Sequence, residues 1–351
     1  MILPSEAGMS PEPRPQRPAW SRDHLRLHRW LLHEPSLLPQ GSSLLLAVSG
    51  GQDSMALTAL LQDLRRLHHW RLHLWHGDHR WRQEAAEQAR ELASWARRRG
   101  LDLRVETASE PAEGECEARQ WRYECLAREA QRLGCDRVVT GHTASDRAET
   151  VLLNLARGSH LRGLSSLRAS RPLLDALPST ALVRPLLLFS RADTARICHS
   201  LGLPVWLDPS NDDPRHGRNR VRAEVLPVLE SLHPGASRRI SGLAERLAQE
   251  VEHGDELLHL ALAALNVPAP ENASAALNRR RLAAQAPANQ RRLLQHWLRQ
   301  HRGHSLASEP LTLLLAALPP QKQPGQMDLC GGWQLRWEPS TLVLSHRHDH
   351  G

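Results

Sequence analysis

The sequence predicts an α/β fold, a parallel sheet with helices on both faces, followed by a mostly helical C-terminal domain. Three observations carry this reading. Short apolar runs alternate with helical patterns in the first part of the chain, as βαβ units require. Residues 44–48 are apolar at every position, fit for a fully buried parallel strand, and run into a glycine turn. From about Arg218 long helical patterns replace the alternation. The expected divisions are a disordered lead-in over 1–20, an α/β domain over 21–225, and a mostly helical domain with short terminal strands over 226–351.

Pro4, Pro11, Pro13, Pro15 and Pro18 punctuate the lead-in, which lacks the apolar core of a signal peptide. Residues 22–33 have amphipathic helical spacing. After the strand over 44–48, a helix over about 54–67 carries Met55, Leu57, Leu60 and Leu61 at helical spacing. Leu72, Leu74 and Trp75 predict a second strand, followed by a charged helix over 83–99. Residues 101–107 alternate as a third strand, and 113–133 is helical with Trp121, Leu126 and Leu133 on its apolar side. A fourth strand over 136–140 leads into a turn and helix over 141–158, and 183–187 is the fifth strand. Beyond it, helices are expected over 218–232, 236–265 and 278–301, then short strands over 326–346 with turns at Gly331-Gly332 and Pro339-Ser340.

With 351 residues, 40% of them hydrophobic, the chain has room for two or three domains with real cores. No apolar run approaches the roughly 18 residues of a membrane span. The formal net charge of +7 comes almost wholly from arginine, Lys322 being the single lysine, and favours a polyanionic partner such as nucleic acid. The five cysteines, Cys116, Cys125, Cys135, Cys198 and Cys330, form no CxxC and read as reduced thiols of a cytosolic protein.

The turn after the first strand, Ser49-Gly50-Gly51-Gln52-Asp53-Ser54, is built to cradle phosphate. Gly50 and Gly51 permit close backbone approach and positive φ. Backbone N–H groups and the positive helix end then face the anion, and Ser49 and Ser54 add hydroxyl donors. Asp53 would repel a phosphate unless a divalent cation such as magnesium bridged them, which argues for a nucleotide rather than an ordinary βα turn. Neither a Walker A loop nor GxGxxG is present. The stretch resembles the loop of the PP-loop ATP-pyrophosphatase family, a Rossmann-like fold. The resemblance implies cleavage of ATP between the α and β phosphates, adenylation of an acceptor, and magnesium.

Other constellations fall at the ends of expected strands, where ligands of parallel sheets bind. In Thr140–Thr150, Asp146 and Glu149 share one helical face and His142 precedes them, putting an imidazole and two carboxylates around one pocket. The same acids also suit a helix N-terminus, Glu149 as a capping-box partner. Arg119 and Arg122, one helical turn apart, suit phosphates, although salt bridges on a surface helix explain the segment as well. Asp208-Pro209-Ser210-Asn211 reads as a rigid turn, and Arg218 and Arg222 share a helical face able to grip a phosphate. His76-x-x-His79 lacks a third soft ligand and reads as a polar pocket wall rather than a zinc pair.

In order, Ser49–Ser54, His76–Arg82, Ala118–Tyr123, Gly141–Thr150, Leu161-Arg162-Gly163-Leu164 and Asp208–Arg222 resemble the motifs of the tRNA(Ile)-lysidine synthase family. The resemblance implies adenylation of the wobble cytidine of an isoleucine tRNA with a CAU anticodon, then displacement of AMP by free L-lysine. It implies catalytic Asp53, Arg119, Arg222 and His142, an ATP site at Ser49–Ser54 with Gln52 included, and magnesium on Asp53. His142, Asp146 and Glu149 would hold lysine. tRNA contacts are expected from Arg122 and Arg218, and from the C-terminal blocks Arg238, Arg239, Arg279, Arg280, Arg281, Arg291 and Arg292. A homodimer is compatible with this reading; a membrane is not. Ser145 departs from the family, where aspartate is frequent at that position. A tRNA thiolase of the same class would need reactive or cluster-binding cysteines, and a non-catalytic tRNA binder would show an eroded loop.

Overall fold

Leu44, Leu45 and Leu46 are all fully buried, yet on opposite faces: Leu44 and Leu46 join one core cluster and Leu45 another. Side chains alternate along a strand, so a strand apolar at every position must be covered on both sides. The computed structural model describes residues 20–80, 85–111, 113–174, 176–206 and 215–346. The expected lead-in, Trp81 and Arg82, the first two residues of the helix over 83–99, and the Asp208–Asn211 turn lie outside the described residues, the lead-in except for its last residue.

The chain runs α1 (Arg22–His33), β1 (Ser43–Ala47), α2 (Gln52–His68), β2 (Arg71–Asp78), α3 (Ala85–Arg98), β3 (Asp102–Thr107), α4 (Glu115–Leu133), β4 (Arg137–Thr140), α5 (Ala144–Ala156), α6 (Leu161–Leu164), β5 (Ser170–Leu174), β6 (Leu177–Val183) and α7 (Arg191–Ser200). The six-stranded sheet has the order β3-β2-β1-β4-β6-β5, parallel except for β5. α1, α2, α3 and α7 supply the core on one face, with Leu27, Leu60, Leu92 and Ile197; α4 covers the other with Cys125 and Leu126.

The fifth strand is not 183–187. β6 ends at Val183, and it forms an antiparallel hairpin with β5 where the sequence suggested only a loop. Pro185 has no N–H to give a ladder, so Leu186 and Leu187 are buried without being a strand. α7 was likewise not anticipated.

After Arg215 come α8 (Gly217–Arg220), a π-helical stretch (Val221–Val225), α9 (Leu226–Leu232) and α10 (Ala236–Leu265). Compact units divide inside α10, as Met1–Ala248 and Gln249–Gly351, so Arg238 and Arg239 belong to the first. The second unit contains β7 (Ala275–Asn278), α11 (Arg279–Ala283), α12 (Pro287–Arg302), α13 (Ser308–Ala317), β8 (Gly325–Leu329), β9 (Trp333–Trp337) and β10 (Thr341–His346). Its antiparallel sheet, β7-β10-β9-β8, packs Leu277, Leu335, Leu342 and Leu344 against Leu294, Trp297 and Leu298. The expected helix over 278–301 is split, because Pro287 starts a helix and cannot sit inside one. Arg279 is not a surface arginine. It is 0% exposed and donates to the carbonyls of Ala317, Leu318, Pro319, Lys322 and Glu338, satisfying the end of α13.

β1 and β4 are neighbours, and the segments leaving their carboxyl ends meet at Gly141. A Cβ there would stand 2.9 Å from Ser54 N and 3.0 Å from Asp53 C, backbone atoms that cannot swing aside. Gly141→Ala is therefore expected to push the loop after β1 out of position. ATP-dependent pyrophosphate release should fall at least tenfold while the far-ultraviolet circular dichroism spectrum stays native.

Candidate active site

The loop after β1 is held open from three sides. Gly50 takes φ +85°, a conformation that favours glycine. Trp206 lies over it: a Cβ on Gly50 would be 3.0 Å from Trp206 Cε3, Trp206 N donates to Gly50 O at 3.1 Å, and the indole Nε1 donates to Glu91 on α3 at 2.6 Å. Gly51 is the N-cap of α2 and brings no capping side chain, so the first N–H groups of the helix keep their capacity for an anion. Ser49 Oγ accepts from Gly51 N at 3.3 Å, and Ser54 Oγ donates to Gly51 O at 2.9 Å.

Gln52 and Asp53 turn towards α7. Gln52 Nε2 donates to Arg191 O at 2.8 Å and to Thr194 Oγ1 at 3.0 Å, so its side chain braces the loop rather than facing phosphate. Thr194 Oγ1 donates to Asp53, and Arg191 NH1 lies 3.4 Å from the same carboxylate. Burial raises the Asp53 pKa, and the negative charge of Asp146 raises it further, against the donors Thr194, Arg191 and Gln52. Arg191 and Thr194 were missed as site residues. The signal was present: Ser190-x-x-Asp193 is a capping box, and it starts α7.

The N-cap of α5 is Thr143, and its capping-box partner is Asp146, not Glu149. Thr143 N and Oγ1 both donate to Asp146 Oδ2 at 2.8 Å. Ser145 Oγ instead accepts from Arg191 N at 3.1 Å. Glu149, 0% exposed, is gripped by two arginines: Arg218 Nε at 2.7 Å, and Arg222 Nε and NH2 at 2.7 and 3.0 Å. Arg218 NH2 also donates to Asp146 Oδ1 at 2.8 Å. Burial alone would raise the Asp146 pKa, but Arg218, His142 and the Thr143 donors hold it below the ordinary value. Two carboxylates and two guanidiniums thus form one closed cluster beside the loop.

His142 Nδ1 is 2.9 Å from Thr140 Oγ1. Burial pushes its pKa down to about 3; Asp146 opposes this, while Arg184, Arg218 and Arg122 reinforce it. His76 is bonded to Val48 O at 2.8 Å, and His79 packs on Trp121 at 4.8 Å between ring centroids, its pKa lowered to about 4 by burial and Arg122. Arg122 stands between His79 and His142 electrostatically, whereas Arg119 is exposed and lies 5.4 Å over the Tyr123 ring. Arg238, Arg239 and Arg292 are exposed and Arg291 is partly so. Arg291 and Arg292 lie in the second unit.

The PP-loop domain family matches residues 26–229. A tRNA(Ile)-lysidine synthase from Parasynechococcus marenigrum is 52% identical over 335 residues, covering 95% of this chain and 97% of that protein. The chain belongs to the tRNA(Ile)-lysidine synthase family. Another member, from Prochlorococcus marinus, is 42% identical over 93% of this chain and 96% of its own length. Among solved structures, the U34-tRNA thiolase NcsA of Methanococcus maripaludis has the same fold, with TM-score 0.54 and 18% identity over 65% of this chain and 78% of that one.

Because both pKa values are depressed, His79 and His142 are neutral at pH 7. In the unfolded chain they take up protons near pH 6.5, so their contribution to stability is complete above that pH. It is lost as the pH falls from 6.5 through the folded values of about 4 and about 3. The fall in Tm between pH 7 and pH 5 should be smaller in His79→Gln than in the parent protein, and equal falls would contradict the burial of a neutral ring.

Proposed function

We propose that this chain ligates lysine to C2 of the wobble cytidine of isoleucine tRNA with a CAU anticodon, in two steps at one site. Family membership over 95% of the chain carries the reading, and the intact loop beside the acid–arginine cluster supports it. In the first step the cytidine 2-oxygen attacks the α-phosphate of ATP and pyrophosphate leaves. In the second the lysine ε-amine attacks C2, AMP departs with the former 2-oxygen, and the amine loses a proton.

The residues fit these demands. The free N–H groups at the start of α2, with Ser49 and Ser54, bind phosphate oxygens. The charge of Asp146 raises the Asp53 pKa, an arrangement that a divalent cation at Asp53 relieves; Asp53 would hold magnesium with the phosphates. Magnesium held there would neutralise charge on the departing pyrophosphate. Arg119 and Arg222 are assigned to charge stabilisation, and Arg122 and Arg218 to the RNA. His142 orients a reacting group by hydrogen bonding, since an imidazole whose pKa is about 3 is too weak a base to deprotonate an amine.

Lysine selection falls to Asp146. Both oxygens of Glu149 are already committed to Arg218 and Arg222, whereas Asp146 Oδ1 accepts one close bond and keeps capacity for an ammonium group. Glu149 instead holds the arginines in place. The thiolase chemistry of the structural neighbour is disfavoured by the cysteines: Cys125, Cys135 and Cys198 are buried, and burial pushes all three thiols up, Cys125 and Cys198 to about 11. The reading carries a cytoplasmic location, and no described helix is long and apolar enough to cross a membrane.

Mass analysis of isoleucine tRNA after incubation with ATP and lysine tests this directly. The expected product is heavier by lysine minus water; an exchange of oxygen for sulfur, or no change, overturns the proposal. Asp53→Asn should abolish pyrophosphate release, to below about 1% of the parent rate, in a protein that melts normally. Asp146→Asn should raise the KM for lysine at least tenfold with a smaller effect on that for ATP. Glu149→Gln, by freeing two guanidiniums, should also lower stability by about 2 kcal/mol, less than a fully buried pair because Arg218 and Arg222 keep 37% and 21% exposure. For the second unit, replacing Arg291 and Arg292 by Gln should weaken tRNA binding and flatten its salt dependence by about 0.7–0.9 per lost phosphate contact on a log–log plot.

A further inference from the structure

One group of arginines is unused by this mechanism. β6 ends beside β4 on the ligand-binding edge of the sheet, where the antiparallel β5 begins: Val183 pairs with Val139 on one side and Ser170 on the other. The next residues bring Arg184 level with Thr140, and Arg171 lies one position into β5. Tyr123 of α4 sits among them, with the Arg171 guanidinium 5.1 Å and the Arg119 guanidinium 5.4 Å from its ring centroid.

Among the described residues these charges lack counter-ions. The ion pairs of this region engage Arg147, Arg191, Arg218 and Arg222, and none joins Arg171 or Arg184 to a carboxylate among the described residues. Arg171 NH1 donates to Pro172 O at 2.7 Å and Leu173 O at 3.2 Å. Arg184 is 1% exposed, donates to Arg168 O at 2.6 Å, and leaves its Nε with no hydrogen-bond partner. A buried guanidinium with an orphaned donor is costly unless something completes it. The crowding of charge registers on both groups: burial, with Arg171, Arg119 and Arg147, lowers the Arg184 pKa to about 10 against Tyr123, and Arg119, Arg171 and Arg184 lower that of Tyr123 against its burial.

We propose that Arg171 and Arg184, with Tyr123 between them, form a subsite for a backbone phosphate of the RNA substrate, on the flank of the active site. The triphosphate of ATP has its own loop after β1, two strand spacings or about 10 Å away. A polynucleotide whose base enters the pocket must carry its next phosphates past the pocket wall, and guanidinium forks suit them. The subsite rests on the function proposed above for the identity of its ligand.

The test measures binding of an isoleucine tRNA transcript against salt, with the KM for ATP alongside, in the parent protein, Arg171→Gln and Arg171→Lys. Arg171→Gln should weaken binding several-fold and reduce the log–log salt slope by about 0.7, the value for one contact on a single strand, with the ATP KM within twofold of the parent. Arg171→Lys, which keeps the charge, should restore the slope. Unchanged affinity and slope in Arg171→Gln would overturn the proposal. So would an altered ATP KM or altered inhibition by added pyrophosphate with tRNA binding intact, since the subsite would then serve the nucleotide. Phenylglyoxal footprinting of the parent protein answers without substitution: tRNA should protect Arg171 and ATP should not, and the reverse refutes it. Lysidine formation is assayed separately; a slope change without that product would leave the subsite standing and remove the proposed function.

Discussion

The active site depends on one buried carboxylate. Glu149 is shut away from water at the second turn of α5, and such a charge is tolerated only when its hydrogen-bonding capacity is met. Arg218 and Arg222, four residues apart on one helical face, meet it with three short bonds. Burying four charges contributes little net stability, because desolvation offsets the attraction. What the cluster supplies is position: it ties α8 to the start of α5 and orients Asp146.

The second constraint is steric. Gly141 lets the backbone leaving β4 touch the backbone of Asp53 and Ser54, so the phosphate loop and the acid–arginine cluster are parts of one pocket rather than neighbours across a gap. That contact explains why Asp53 senses the charge of Asp146. It also explains why α7 matters, since Thr194 and Arg191 support Asp53 from the side that Gly141 leaves open.

Much of this was legible in the sequence because the chemistry is local. An apolar run followed by two glycines, a serine and an aspartate specifies strand, turn and anion-binding helix within a dozen residues. α1 and α10 follow from amphipathic spacing alone, and match the expected bounds. The hairpin β5–β6 was hidden because Pro172 and Pro178 interrupt any strand pattern, which an edge pair tolerates. Arg279 illustrates the other limit. In a run of three arginines nothing local distinguishes the one that collects five carbonyls from its two exposed neighbours. The capping box of α5 was foreseen as a pattern, but its assignment to Asp146 left Glu149 free for a tertiary role that only the approach of Arg218 and Arg222 reveals.

The central claim is that the nucleotide site activates the RNA base and lysine enters afterwards. Isotope exchange between pyrophosphate and ATP separates this order from its reverse. The account predicts exchange in the presence of isoleucine tRNA and magnesium with lysine omitted, and none with lysine alone. Exchange that requires lysine and proceeds without tRNA would mean that the amino acid is adenylated instead, and would contradict the account.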